Sequence, residues 1–252
     1  MSEQLYLVTC DRIPVGTKIK KYSLLVGVFF CYHSFMKVTY KYDKKEDIWC
    51  ITNKGKISHN SPHPTKVYEL MVNKIGENPE EKEVSKFIDE YLEENNYNVE
   101  LLAKTFEKEF VEIADKYHKI AEQVFGVTLK NDVVGYLTVN NRCPYSIQEN
   151  LFFVSVSVDS ANRIAMHELW HFYTWYRFPN DVLKIDPVVY NDIKESLSVL
   201  LNIECKELYG EGVEDKGYPR HEELRKRIVT VWNKTKDIQK VWDDALNFID
   251  KL

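Results

Sequence analysis

Hydrophobic and polar positions follow two different periods along the chain, and the changes of period divide it into predicted strands and helices. The first 75 residues are typical of strands, because LLVGVFF is continuously apolar, KVTYKYD alternates and DIWCIT follows a charged linker. We therefore expect a β-rich N-terminal region over 1–75, with a buried strand pair in Tyr22–Met36. The acidic stretch over 76–97 carries apolar residues at helical spacing and predicts a helical connector with a solvated charged face.

Residues 98–252 predict a second region with the order helix, strand, strand, helix, helix, helix. A helical pattern runs from Val99 to Phe125, and Gly126 closes it as a C-terminal glycine does. Two segments then alternate like strands, VVGYLTVN (133–140) and LFFVSVSV (151–158). Three further helices are predicted near 160–178, 188–204 and 221–250. The pattern as a whole predicts an α+β fold.

Composition and charge narrow the class of protein. The 252 residues are 44% hydrophobic and 29% charged, which is ordinary for a globular protein with a buried core. The net charge of −5 argues against a chain-wide nucleic-acid binder. The apolar run in Tyr22–Met36 is shorter than the roughly 20 residues of a membrane span, and it starts late for a signal peptide. We therefore expect neither nucleic acid nor a membrane as a partner.

The number and spacing of the cysteines indicate the redox state of the cellular compartment. The five cysteines are odd in number, widely scattered and contain no C-x-x-C pair. A disulfide framework or a thiolate zinc site is therefore disfavoured, and a reducing, cytoplasmic location is expected. The pattern leaves the oligomeric state open.

The residues with the clearest chemistry are His167-Glu168-Leu169-Trp170-His171, an H-E-x-x-H motif. On a helix its two histidines lie about 40° apart around the axis, so both imidazoles leave one face and can bind one Zn²⁺. Glu168 need not bind the metal and can act as general base toward water. The alternative is a pair of structural histidines on a buried helix. A shared metal is favoured, because burying these polar groups without a partner is unfavourable.

A catalytic zinc site needs a third protein ligand. The extended motif with a third histidine is absent, since Arg177 occupies that position. Glu195 lies at the edge of the apolar arc of the next predicted helix, and Asp192, one turn earlier, is the main alternative. Because His-His-Glu is a catalytic zinc set, we expect about one zinc ion per chain, bound by His167, His171 and Glu195.

The H-E-x-x-H motif followed by Glu195-Ser196-Leu197-Ser198 resembles the gluzincin branch of the zincin metallopeptidases. Over about 98–205 the layout is similar to that of the minigluzincins. The resemblance implies a zincin-like fold with a backing helix, a small mixed sheet, an active-site helix, a glutamate helix and a C-terminal helix, here with an added N-terminal β-rich region. It also implies peptide-bond hydrolysis with Glu168 as general base and acid. The peptide or protein substrate would lie along an edge strand supplied by LFFVSVSV or VVGYLTVN.

The resemblance also raises the question of what orients the ligand histidines. Thermolysin-like gluzincins have an Asp four residues after the ligand Glu for this role, but Val199 stands there in this chain, and Lys194 replaces the usual Asn before the Glu. We expect Asp192 or Asn191 to act instead.

Peptide hydrolysis further needs a hydrogen-bond donor for the developing oxyanion. The loop before the last predicted helix offers three candidates, Tyr218, Arg220 and His221. A turn followed by a helix start is the alternative interpretation of this loop. The basic run over 225–227 is predicted to lie on a solvated helix face.

A second function from another class stays open. The protein could be a non-catalytic or latent metal-binding protein that recognises a protein partner with its N-terminal region. A fourth protein ligand, such as His221 or a cysteine, would favour that hypothesis, and an open cleft would favour the enzyme. His59 and His63, in the polar segment HNSPHP, are either weak metal donors or parts of a flexible loop.

Overall fold

The computed structural model describes residues 36–56, 63–181, 184–210 and 212–249. All of them belong to one compact unit. The predicted strand pair lies outside the described residues except for Met36, and His59, Cys10 and Cys31 lie outside them as well.

The described residues form a small sheet and a larger set of helices. The strands are β1 Val38–Tyr42, β2 Val133–Thr138, β3 Tyr145–Ser146 and β4 Leu151–Ser155. The helices are α1 Lys44–Lys54, α2 Lys66–Ile75, α3 Glu81–Glu94, α4 Val99–Phe125, α5 Ala161–Arg177, α6 Pro187–Leu197, α7 Leu201–Glu204, α8 Lys206–Tyr209, α9 Glu222–Thr235 and α10 Ile238–Ile249. The predicted α+β class is confirmed. No helix within these ranges has the length and apolar character that crossing a bilayer requires.

The sheet is mixed and has the strand order β1-β2-β4-β3. β1, β2 and β4 are parallel, and β3 runs antiparallel to β4. Both LFFVSVSV and VVGYLTVN therefore lie inside the sheet, and the prediction that one of them supplies the edge strand is wrong. The edge beside β4 is formed by β3, whose two residues lie in the segment between β2 and β4 that the pattern predicts as a loop.

The two faces of the sheet pack against different helices. On one face, Tyr40 of β1 contacts Phe106 of α4 edge to face, with ring centroids 5.9 Å apart. On the other face, Phe153 of β4 stacks on Trp49 of α1 at 5.6 Å. α4 also packs against α5, where the rings of Phe125 and Trp170 meet at 4.8 Å. The core therefore lies between the sheet, α4 and α5, which fixes α5 relative to the sheet.

The N-terminal part of the described chain differs from the prediction. KVTYKYD contains a strand as expected, but DIWCIT is helical and lies in α1. Asp43 caps this helix by accepting a hydrogen bond from the backbone N–H of Lys45 at 2.9 Å, and Glu46 and Asp47 add negative charge to its first turn. Between 36 and 75 the described residues thus form one strand and two helices, so they are not β-rich.

The helices of the second half follow the prediction with two differences. The helix from Val99 to Phe125 and its closing glycine in a left-handed conformation, with φ of 68°, are confirmed. The helix expected near 188–204 breaks into α6, a 3₁₀ turn at Ser198–Leu200 and the short α7. The helix expected over 221–250 is two helices, because Lys236 adopts a left-handed φ of 48° and Asp237 caps the next helix.

A buried carboxylate joins α1 to the end of β2. Asp47 accepts hydrogen bonds from the Thr138 hydroxyl at 2.6 Å and from the Val139 backbone N–H at 3.0 Å. Burial raises the pKa of Asp47 to about 6, although these hydrogen bonds oppose the shift. Asp47 thus satisfies two buried donors and holds α1 against the sheet.

We expect Asp47→Ala to lower the free energy of unfolding by about 2 kcal/mol, because it leaves the Thr138 hydroxyl and the Val139 N–H buried without an acceptor. Urea unfolding at pH 7 measures the change. Asp89→Ala is the matched control, since Asp89 pairs with Lys44 at the surface and its loss should be below about 1 kcal/mol. Equal losses in the two variants would contradict the structural role of Asp47.

Candidate metal centre

α5 places both histidines of the motif on one buried face. The helix starts after Ser160 and is almost wholly buried from Ala165 to Thr174. The imidazole rings of His167 and His171 lie one turn apart, with centroids 4.5 Å from each other. The helical geometry expected from the spacing is therefore present.

α6 brings the third predicted ligand to these rings. Glu195 Oε2 lies 3.7 Å from His167 Nε2 and 3.5 Å from His171 Nε2. The donor atoms of the three residues all lie within 4.8 Å of one another. The other carboxylate oxygen, Oε1, lies 2.7 Å from the Lys194 ammonium, so Glu195 offers one oxygen to the space between the histidines.

The two histidines differ in their protonation. Burial lowers the pKa of His171 to about 3, so its ring is neutral at neutral pH and has a free nitrogen lone pair. His167 Nδ1 lies 2.7 Å from Asp215 Oδ2, and since an ionised carboxylate only accepts, Nδ1 carries the hydrogen. Burial alone would lower the pKa of His167, but Asp215 and Glu195 outweigh it and raise that pKa.

This donor set fits a divalent metal ion of the zinc type. It combines two imidazole Nε2 atoms and one carboxylate oxygen, and Asp215 orients one imidazole through its Nδ1 as the carboxylates behind zinc-binding histidines do. Among the described residues, these three form the one group of three or more His, Cys, Asp or Glu side chains close enough to hold an ion together. His221 and the described cysteines do not belong to that group.

Asp215 belongs to the candidate centre and was missed by the sequence pattern. Its Oδ1 accepts a hydrogen bond from the Ser198 hydroxyl at 2.8 Å and pairs with the Arg225 guanidinium at 3.0 Å. Asn202 holds the backbone of Asp215 with two hydrogen bonds of 2.7 and 2.9 Å. Arg225 is 7% exposed, so the prediction of a solvated basic face is wrong at this residue. Gly217 lies against the Arg225 guanidinium, where a Cβ atom would come within 2.6 Å.

The predicted alternatives near Glu195 have other partners. Asp192 accepts a hydrogen bond from Arg220 at 2.8 Å, and its carboxylate lies 3.0 Å from His221 Nε2. It therefore neither joins the three donors nor orients a ligand histidine, and the expectation that it does so is wrong. Asn191 lines the cleft beside the histidines.

An open cleft of about 290 Å³ lies over the three donors. Glu168 lines it, and burial raises the pKa of this carboxyl to about 7. Of the three predicted oxyanion donors, Tyr218 lines the cleft, whereas Arg220 and His221 face Asp192 instead. Burial also raises the pKa of Tyr218, so its hydroxyl keeps its proton.

Lys194 is a second residue whose position the pattern did not predict. It is 5% exposed, and its ammonium lies 2.6 Å from the Tyr145 hydroxyl as well as beside Glu195. The one available signal was a lysine directly before the proposed ligand in the sequence. Lys194 thereby links α6 to β3, and the Tyr145 ring in turn lies 5.2 Å from the His171 ring.

Comparison with known proteins adds no family to this geometry. No family model, no curated protein and no solved structure matches the chain.

We expect Asp215→Ala to lower the free energy of unfolding of the metal-free protein by about 3 kcal/mol, because Arg225 would stay buried without its ion-pair partner. Urea unfolding in the presence of a chelator measures this loss.

Arg225→Met and the double variant complete the cycle. The double variant should lose clearly less than the sum of the two single losses, because it leaves no unpaired buried charge. Strictly additive losses would show that the two side chains do not depend on each other.

Proposed function

We propose that the protein is a zinc-dependent metallopeptidase of the gluzincin type, with one zinc ion held by His167, His171 and Glu195. The observation that carries the proposal is the convergence of the two Nε2 atoms on one carboxylate oxygen, at 3.7 and 3.5 Å, next to Glu168 in an open cleft. The cleft favours an enzyme over a closed structural site, since a catalytic zinc needs access for water and substrate.

The surroundings of each donor favour metal binding. His171 is neutral because it is buried, and Asp215 fixes the ring of His167. Lys194 occupies the second oxygen of Glu195, which favours binding through a single oxygen. A zinc ion bound by such donors acts as a Lewis acid toward a carbonyl group and makes water more acidic.

Glu168 is the residue that transfers a proton from the attacking water to the leaving amine in this proposal. A carboxyl group with a pKa of about 7 accepts a proton from the attacking water and can return it to the nitrogen of the leaving amine. The Tyr218 hydroxyl, which stays protonated, donates a hydrogen bond toward the carbonyl oxygen as negative charge develops on it.

β3 is the strand on which a substrate peptide lies in this proposal. The Phe153 N–H donates to the Pro144 carbonyl at 2.8 Å, which makes these two residues a hydrogen-bonded pair of the antiparallel ladder. The backbone N–H and C=O of the next residue, Tyr145, therefore point away from β4. Because Pro144 and Tyr145 also line the cleft, an extended peptide paired with Tyr145 would pass over the three donors.

The helices fit the same proposal. In a zincin-like arrangement α4 is the backing helix, α5 the active-site helix and α6 the glutamate helix, while α9 and α10 are the C-terminal helices.

We expect the protein purified without added metal to contain about one zinc ion per chain, and His171→Ala and Glu195→Ala to lose it. Elemental analysis of the purified proteins measures the content. Asp192→Ala is the matched control on the same helix and should keep its zinc, because Asp192 binds Arg220 and His221. If this control lost its zinc while Glu195→Ala kept it, the third ligand would be Asp192 and not Glu195.

We expect Glu168→Gln to fold and to keep its zinc but to hydrolyse peptides at least about 100-fold more slowly, because the amide cannot accept the proton. A quenched fluorescent peptide library measures turnover, and elemental analysis of the same sample verifies the metal. Turnover near the wild-type rate with zinc bound would refute this mechanism.

A further inference from the structure

A second hollow adjoins the cleft at β3. Its volume is about 300 Å³, and its apolar lining comes from Trp49, Leu151 and Phe153, with charged side chains of Lys45, Glu46 and Glu149 around it. Pro144 and Tyr145 line both this space, which we call the Trp49 hollow, and the metal cleft. The two spaces therefore adjoin each other at β3.

The two spaces lie on opposite faces of the sheet. Tyr145 and Phe152 are directly opposite each other in the ladder and share a face, and the Tyr145 ring points to His171 on that face. Leu151 and Phe153 flank Phe152 and so point to the other face, where Trp49 stacks on Phe153. β3 is the border between the metal cleft and the Trp49 hollow.

A peptide paired with β3 would reach both spaces. The peptide residue opposite Tyr145 shares the face of that tyrosine and points its side chain toward the cleft. Side chains alternate along an extended chain, so the residues next to it point to the face of the Trp49 hollow.

Trp49 gives the hollow its chemical preference. Its side chain is 42% exposed, whereas large aromatic residues are normally covered. Its ring stacks on the buried Phe153, so Trp49 is held in place and offers the exposed aromatic surface on which another ring packs favourably. We propose that the Trp49 hollow is a specificity subsite that takes an aromatic side chain of the substrate peptide, one residue away from the residue that faces the metal cleft. This inference rests on the proposed peptidase function.

The test measures binding separately from cleavage. Short fluorescently labelled peptides of Gly, Ser and Ala, with one Phe moved through successive positions, are titrated into zinc-loaded Glu168→Gln protein and followed by anisotropy. We expect Phe at one position to tighten binding at least about tenfold over Ala at the same position.

Trp49→Ala in the same background should abolish this gain. Tyr176→Ala should keep it, because Tyr176 is an aromatic residue of nearly equal exposure, 41%, that does not line the hollow. Ser146→Phe is a second variant, which should fill the hollow from β3 and also abolish the gain. It decides the question if Trp49→Ala does not fold, as circular dichroism would show.

Cleavage of the same peptides by the wild-type protein distinguishes a failure of the subsite from a failure of the peptidase function. If peptides are cut and bound with no preference for Phe at any position, or if the gain survives in Trp49→Ala or in folded Ser146→Phe, the subsite is refuted while the peptidase function stands. If zinc-loaded protein neither binds nor cuts any peptide of the set or of a random library, the peptidase function fails and the subsite fails with it.

Discussion

The contact between His167 and Asp215 is the interaction on which the candidate centre depends. It joins α5 to the loop before α9, and Ser198 and Arg225 hold the second oxygen of the carboxylate. Removing such charges from water is tolerated only where hydrogen bonds and opposite charges replace the solvent. Asp215 meets this condition with both oxygens and with its backbone. The orientation of the first histidine therefore depends on the packing of α9, and this helix is a structural part of the candidate centre.

A second chain of contacts connects the donors to the edge of the sheet. Glu195 pairs with Lys194, Lys194 contacts the Tyr145 hydroxyl, and the Tyr145 ring lies against His171. The backbone of the same tyrosine points away from β4, at the edge proposed for the peptide. A shift of β3 would therefore move the Tyr145 hydroxyl relative to the Lys194 ammonium. Because that ammonium pairs with Glu195, the shift would also change the electrostatic environment of this carboxylate. The proposed substrate strand and the three donors are thus one connected unit.

The parts of this structure that the sequence predicted are those with a strong local period. α4 matches its predicted bounds, because its apolar positions repeat over many turns and Gly126 marks its end. The spacing within the motif likewise predicted that His167 and His171 share one helix face. Asp215 could not be found in this way, since it contacts a histidine 48 residues earlier in the chain and lies in a loop. β3 was missed for a related reason, because two residues show no alternation. DIWCIT is a short apolar run whose period fits a strand as well as a helix, and the cap at Asp43 together with tertiary packing decided for the helix.

Because DIWCIT is part of a helix and not of the predicted strand, the N-terminal part of the described chain has a different structural role. As a strand, this segment would extend the sheet; as a helix, it covers the face opposite the candidate centre and brings Trp49 next to β4. Asp47, two residues earlier, ties the same helix to the end of β2 through two buried hydrogen bonds. α1 thereby covers the face of the sheet opposite the candidate centre and places the Trp49 ring beside β3. A peptide on that edge would contact both faces of the sheet, with the proposed metal donors of α5 and α6 on one side and the proposed aromatic subsite of α1 on the other.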